Sequence, residues 1–436
     1  MDFKKGILSS AIAVVIYGSV YSAPLIAADV GSSGQTITAD ETFAPASDAE
    51  DCYPDGTNDG CVDAALSAGQ NGDIGSVAGD IVNYGTINGG DDKKIVGLSV
   101  RDTTGNIINK TGGTINGFAG VDAGHTGSII NESGATISGG TGIIIDINGE
   151  LGINDPDDSN ADFVAISNAG TIISTGVVSD EVGMDATNWS AIAIMDQVEG
   201  SIVNEEGGQI ISENGHGILF MDDDDDDEGS SDTPDTPEDL LERDLVNAGT
   251  IQGKLTGINI EFGAIDGEIR NTSTGKILSE QIAIDISSKD TSNVVEKIVN
   301  EGLIQGYIGI LVDDNNVATS AIEDTSESIL NSGTIRAVGA DGLLEVEDEG
   351  DDVLSHAIYA ETGEVVGVIN DELGTIDGRL FGDNLSLNNS GTLKTLSGSD
   401  IKSYVGNGTI IAVLDDKIVA IGETLVAENN EFGSVL

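Results

Sequence analysis

The sequence predicts an all-β chain wound as a right-handed parallel β-helix, a solenoid with acidic loop insertions. Three observations predict it. A unit of two apolar residues, Asn, a short turn and Gly-Thr-Ile recurs eleven times. Its apolar residues fall in short runs with period-two alternation, as at Ile143, Ile145 and Ile147, which marks strands rather than helices. Gly stands at nearly every junction, where a helix would lose about 1 kcal/mol per position relative to Ala. The right hand follows from the general rule for crossovers between parallel strands.

Residues 1–28 carry Lys4 and Lys5, then an uncharged apolar stretch over 6–20, then a small-residue end at Ala27 and Ala28. This is the pattern of a secretory signal peptide, cleaved after Ala28 or at an earlier small residue such as Ala23. A transmembrane anchor is the competing reading, and the apolar stretch is short for a span of about 20 residues. Residues 29–75 hold no clear copy of the repeat and are expected to form an N-terminal cap. They contain the two cysteines, Cys52 and Cys61. In an exported protein these are expected to close a small loop as a disulfide. A metal role is the weaker reading, since no His or further Cys lies nearby in sequence.

The repeats occupy residues 76–400. Their Asn residues are Asn83, Asn109, Asn131, Asn168, Asn204, Asn247, Asn271, Asn300, Asn331, Asn370 and Asn389. Successive positions lie between 19 residues apart, from Asn370 to Asn389, and 43 apart, from Asn204 to Asn247. The short intervals set the length of one coil, and the long ones are that coil with an insertion. Three short strands per coil would each bond to their equivalents above and below at about 4.8 Å, so that like stacks on like. Ile and Val then line the interior. Asn tolerates left-handed backbone, and its amide can bond the next Asn in a ladder. The rod is expected to be of order 50 to 70 Å long. Residues 401–436 read either as terminal coils or as the start of a translocator region.

The insertions hold much of the acid: Asp155-Pro156-Asp157-Asp158, the six Asp of 222–227 followed by Glu228, and the stretch 345–352. One reading is a solvated, self-repelling loop that keeps the rod soluble. The other is weak Ca²⁺ binding. Asp55, Thr57, Asp59 and Gly60 begin like a calcium loop, but Leu66 stands where a bidentate Glu is required. Lys and Arg number 17 against 76 Asp and Glu, for a net charge of −59. Nucleic acid is therefore excluded as a partner, because no basic patch can replace phosphate counterions.

Catalytic constellations were sought because parallel β-helices include sugar-cleaving enzymes. Gly215-His216-Gly217 resembles one element of the polygalacturonase set, but that family's other elements are missing. His216 falls in the slot that Thr141 fills in the Asn131 copy and is expected to be an incidental surface histidine. His125, His216 and His356 are far apart in sequence, and Arg270, Arg336 and Arg379 are scattered singly. No catalytic, cofactor-binding or metal residue is assigned.

Written as I-x-N-x-G-T-I-x-G, the copies from Asn83 to Asn389 resemble the passenger domains of Gram-negative autotransporters, over about 70% of the chain. The resemblance implies export to the periplasm, passage through an outer-membrane translocator barrel, and display of a rod at the cell surface. It implies a role in adhesion, aggregation or biofilm formation. The partner would be a host or neighbouring-cell surface component or glycan. Autotransporters end in a barrel with amphipathic strands and aromatic girdles. This sequence ends Phe432-Gly433-Ser434-Val435-Leu436, only some 45 residues past the last copy. Three readings fit: a truncated or split autotransporter, a rod exported through a separate barrel, or a periplasmic or released rod. The rival of another class is a β-helical carbohydrate-active enzyme, a polysaccharide lyase or hydrolase. A Ca-stabilised scaffold is the third reading.

Overall fold

The computed structural model describes residues 28–29, 35–37, 41–42, 64–68, 79–89, 96–102, 105–145, 151, 163–176, 189–221, 239–287, 294–313, 322, 327–339, 344–345, 352–353, 355–361, 364–395, 399–414, 417–422 and 427–431. Most of these form one parallel β-helix, in which strands pair with their equivalents one coil away rather than with their neighbours in sequence. Each coil has three sides. The first, here the Asn face, holds strands such as Ile129–Asn131, Ser201–Asn204 and Leu245–Asn247. The second, the Thr face, holds Thr86–Asn88, Thr171–Ser174, Thr250–Gly253 and their equivalents. The third, the inner-Ile face, holds Ser190–Ile194, His216–Phe220, Thr256–Ile260 and Ile282–Ile286 among others.

Register follows from which residues face in. On the Asn face Ile107 stacks on Ile81 and below Ile129, and on the Thr face Ile115 stacks on Ile87 and below Ile137. All six are buried to 1% exposure or less. Slipping a strand by one residue would turn this column to solvent and bring polar neighbours inside, and each buried Ile contributes roughly 2 kcal/mol that such a slip would forfeit. The third face contributes two inward columns, for example Ile192–Ile218–Ile258 and Ile194–Phe220–Ile260. Together they fill the interior continuously from coil to coil.

The stack continues beyond the eleven copies at both ends. In the segment 29–75, Gln35–Ile37 pairs parallel with Ile81–Asn83, Glu41–Thr42 with Thr86–Asn88, and Ala64–Ala68 with Val96–Asp102. A coil without the repeat motif therefore lies beneath the first copy. Leu66, which breaks the calcium-loop pattern, sits in its third strand between Ala28 and Leu98. At the other end Asp400–Gly406 and Thr409–Leu414 continue the stack in parallel. Lys417–Gly422 and Ala427–Glu431 then return antiparallel along those two strands, covering edges that a solenoid would otherwise leave open. The leader, apart from Ala28, lies outside the described residues, as do Cys52, Cys61 and the acidic runs 155–158 and 222–228. Of the stretch 345–352 only its flanks are described, as the antiparallel pair Leu344–Glu345 and Asp352–Val353.

Candidate functional site

The corner between the Asn and Thr faces is the most constrained part of the chain. From Asn83 to Asn389 it contains either two or four residues in every copy. All eleven Asn are buried, at 0–1% exposure. Each Nδ2 donates to the Oδ1 of the Asn one coil on. The donor–acceptor distances run from 3.0 Å, between Asn109 and Asn131, to 2.6 Å, between Asn370 and Asn389. A second bond from the same Nδ2 reaches a backbone carbonyl of the next coil, as from Asn131 to Thr171 O at 3.1 Å. The series ends where Asn389 Nδ2 donates to the Tyr404 hydroxyl at 3.2 Å. A buried amide left unbonded would be costly, so each Asn depends on its neighbours above and below.

The last residue of this corner is Gly in ten copies and Ala135 in the other. The reason is the closeness of the preceding coil. A Cβ on Gly302 would lie 2.2 Å from Gly275 O and 2.4 Å from Thr272 O, and one on Gly333 would lie 2.2 Å from Gly302 O.

The three faces have different exteriors. On the Thr face the first outward column is Thr86, Thr114, Thr136, Thr171, Gln209, Thr250, Lys276, Leu303, Thr334, Thr375, Thr392 and Thr409. This finish is hydroxyl-rich and only sparsely charged. On the Asn face the outward residue is the one before Asn, and it is aliphatic in most coils: Val82, Ile108, Ile130, Val203, Val246, Val299, Leu330 and Ile369, interrupted by Ser167 and Arg270 and ended by the exposed Asn388. The aliphatic ones are half-buried and open to solvent on one side. In the sequence both residues of the apolar pair before Asn look like core. The structure buries the first and turns the second out.

The inner-Ile face is different again, because much of its outward column is itself covered. Ser99, Ala193, Leu219 and Leu311 point away from the interior yet are at most 7% exposed. His216, expected at the surface, is 7% exposed and therefore buried. It does occupy the column of Thr141, through Ser190, with Thr256 next above. His356 stands in that same column beyond Ile282 and Ile308, four coils from His216, so the fold does not bring the two imidazoles together. His356 packs edge-on to Tyr359, which stacks on Phe381 at 4.9 Å. His125 pairs in register with Asp102 at the end of its strand.

Sequence reading missed a polar stripe on this covered face. Asn259 pairs with Asp285, which pairs with Leu311, and Asp313 lies two residues past Leu311 at the end of that strand. The Oδ1 atoms of Asn259, Asp285 and Asp313 are shut away from solvent without a hydrogen-bond partner. Burial pushes the Asp285 carboxyl up to about 7, with a hydrogen bond from Ser287 opposing and the charge of Glu261 adding. Burial also raises Asp313 to about 7, with the neighbouring Glu361 carboxylate second in effect. The stripe arises only when coils are superposed, so no local motif marks it.

Among the described residues the ion pairs lie on the outside of the rod, and Glu268 and Asp377 each draw two cations. Lys110 meets Glu132 at 2.6 Å, Lys297 meets Glu268 at 2.9 Å, and Arg336 and Lys394 both approach Asp377 at 3.4 Å. Arg270 pairs with Glu268 as well. Among the described residues no group of three or more His, Cys, Asp or Glu is arranged to hold a metal ion, and no helix is long and apolar enough to cross a membrane. In comparison with known proteins, the chain matches no family model, no curated protein and no solved structure.

Proposed function

We propose that this chain is an exported, non-catalytic β-helical rod that serves cell-surface structure or adhesion, in the manner of the autotransporter passengers its repeat resembles. One observation carries the reading. The buried residues that stay constant from copy to copy, Ile, Asn and Gly, all build the stack, while the outward columns, mostly Thr on one face and aliphatic on another, admit exchanges such as Gln209, Lys276, Ser167 and Arg270. A chain organised this way is a scaffold about 60 Å long that holds changeable side chains at fixed spacing. The leader pattern of residues 1–28 supports export through the inner membrane. On this reading the rod reaches the cell surface or medium if an outer-membrane barrel serves it, and stays periplasmic otherwise. It binds a host or neighbouring-cell surface component or glycan.

The test is expression of the whole chain in a Gram-negative host, with fractionation and sequencing of the mature N-terminus. Beads coated with the purified rod are then offered to cells and glycan arrays, while polysaccharides incubated with it are assayed for new reducing ends. An N-terminus at or near Asp29, with adhesion and no sugar cleavage, is expected. Release of reducing ends without adhesion would overturn the reading in favour of the carbohydrate-active enzyme. A melting temperature raised by Ca²⁺ and lowered by chelator would replace it with the Ca-stabilised scaffold.

A further inference from the structure

We propose that the aliphatic ridge on the Asn face is the docking surface of the rod, and that its partner is a cationic amphipathic polypeptide segment. The inference rests on the reading of the rod as a binding scaffold and names the surface and the partner's chemistry.

Parallel sheets are ordinarily buried on both sides. The inner-Ile face largely obeys that rule, since much of its outward column is covered, and the Thr face departs from it with hydroxyls and amides that water can solvate, mixed with the half-buried Ile173, Ile211, Leu278 and Leu303. The Asn face departs from it with half-buried aliphatic side chains. The ridge extends over nine coil spacings, about 40 Å, which an amphipathic helix of roughly 27 residues would span, and Ser167 and Arg270 divide it into three aliphatic stretches. Partly exposed apolar stretches rimmed by polar groups suit an interaction site.

Charge selects the occupant. On the corner side the ridge is bordered by Glu205, Glu206 and Glu301, all exposed, and on the other side by the exposed Asp80 and the half-buried Asp244. Of the cations there, Lys110 is held by Glu132, and Lys297 and Arg270, the latter in the ridge itself, by Glu268; Arg243 stands beside Asp244 and Lys276 is exposed past the corner. An apolar strip between carboxylate rails fits a segment with one apolar and one basic face. A second copy would set rail against rail in a chain whose net charge is −59.

The mature chain is titrated, by fluorescence anisotropy, against a labelled Leu/Lys peptide with apolar residues at helical spacing, a scrambled peptide of the same composition, and a Leu/Glu counterpart. Tight binding of the first alone is expected, weakened at least tenfold between about 0.05 M and about 0.5 M salt. Val203→Thr with Val246→Thr keeps shape and strand propensity and should weaken binding about tenfold. So should Glu205→Gln with Glu206→Gln, which lies in an exposed turn. The pair Ile173→Ser and Ile211→Ser on the Thr face should leave it unchanged.

Equal binding of the scrambled peptide, or ridge variants that bind like wild type, would overturn the inference and leave only polyanion behaviour. Sedimentation of wild type as a dimer that the ridge variants abolish would overturn it in favour of a second copy. A rod that adheres to cells or glycans yet ignores the Leu/Lys peptide keeps the adhesive reading and loses this one.

Discussion

The corner after each Asn and the two corners around the inner-Ile face perform the same geometric task under opposite rules. The Asn corner never departs from two or four residues. The other corners range from none, where Thr136–Ile145 runs through as one strand, and a single residue, Tyr307 between Gly306 and Ile308, to the chain positions between Ile145 and Val164, which include the bridging Leu151. The difference shows where the stack keeps its register. A corner bonded to the coils above and below by side-chain amides, and pressed against the preceding coil's carbonyls, has no room for a changed length. A corner held only by the strands on either side can open into a loop at small entropic cost.

Removing one rung tests that contrast most severely. Asn247→Ala leaves Asn204 Nδ2 and Asn271 Oδ1 without their ladder partners in a buried setting, and should cost about 3 kcal/mol in a urea titration. A loss under about 1 kcal/mol would mean that the strands alone set the register. Next in size is Gly302→Ala. Its Cβ would press on Gly275 O at 2.2 Å, and a cost of about 2 kcal/mol is expected by the same measurement.

The covered stripe of the inner-Ile face offers a third test, by pH. The Asp285 carboxyl is raised in the folded chain from its ordinary value near 3.8 to about 7. Its contribution is therefore fully present below about pH 4, declines as pH rises through 7, and is gone above that. Asp285→Asn should be more stable than wild type at pH 8, by about 1–2 kcal/mol after solvent screening, and indistinguishable at pH 4. Urea midpoints of both chains across that range check it, and a constant difference would refute the burial account. Smallest of all is a Gly-Ser pair inserted within residues 222–238, with an expected change below about 0.5 kcal/mol. A large loss there would erase the distinction between the corners.

Much of the fold was legible because the repeat writes it in consecutive residues. Asn, Gly and the alternating Ile are local signals, and matching the Thr-Ile of the Asn131 and Asn168 copies across corners of four and two residues already aligns Ile137 with Ile172. What escaped is what depends on more than one coil. The coil through Gln35–Ile37 lacks Asn and Gly-Thr-Ile and is recognisable only by its partner Ile81–Asn83. The return of Lys417–Gly422 is antiparallel, and period-two alternation is the same in either direction. The burial of His216 and the meeting of Asn259 with Asp285 depend on what lies over one face, which no repeat motif encodes.

The ladder of Asn side chains has a further property, which follows from its uniform sense. In a parallel sheet, successive backbone N–H and C=O groups point up and down the stack and their dipoles largely cancel. The ten amide links do not, because every Nδ2 points toward the coil of higher number and every Oδ1 toward the lower. They add along the axis as peptide dipoles add along a helix, with the negative pole at Asn83 and the positive pole at Asn389. The rod thus carries an electrical arrow. Its first rung is rich in acceptors and its last in donors, and the hydroxyl oxygen of Tyr404 meets that final N–H.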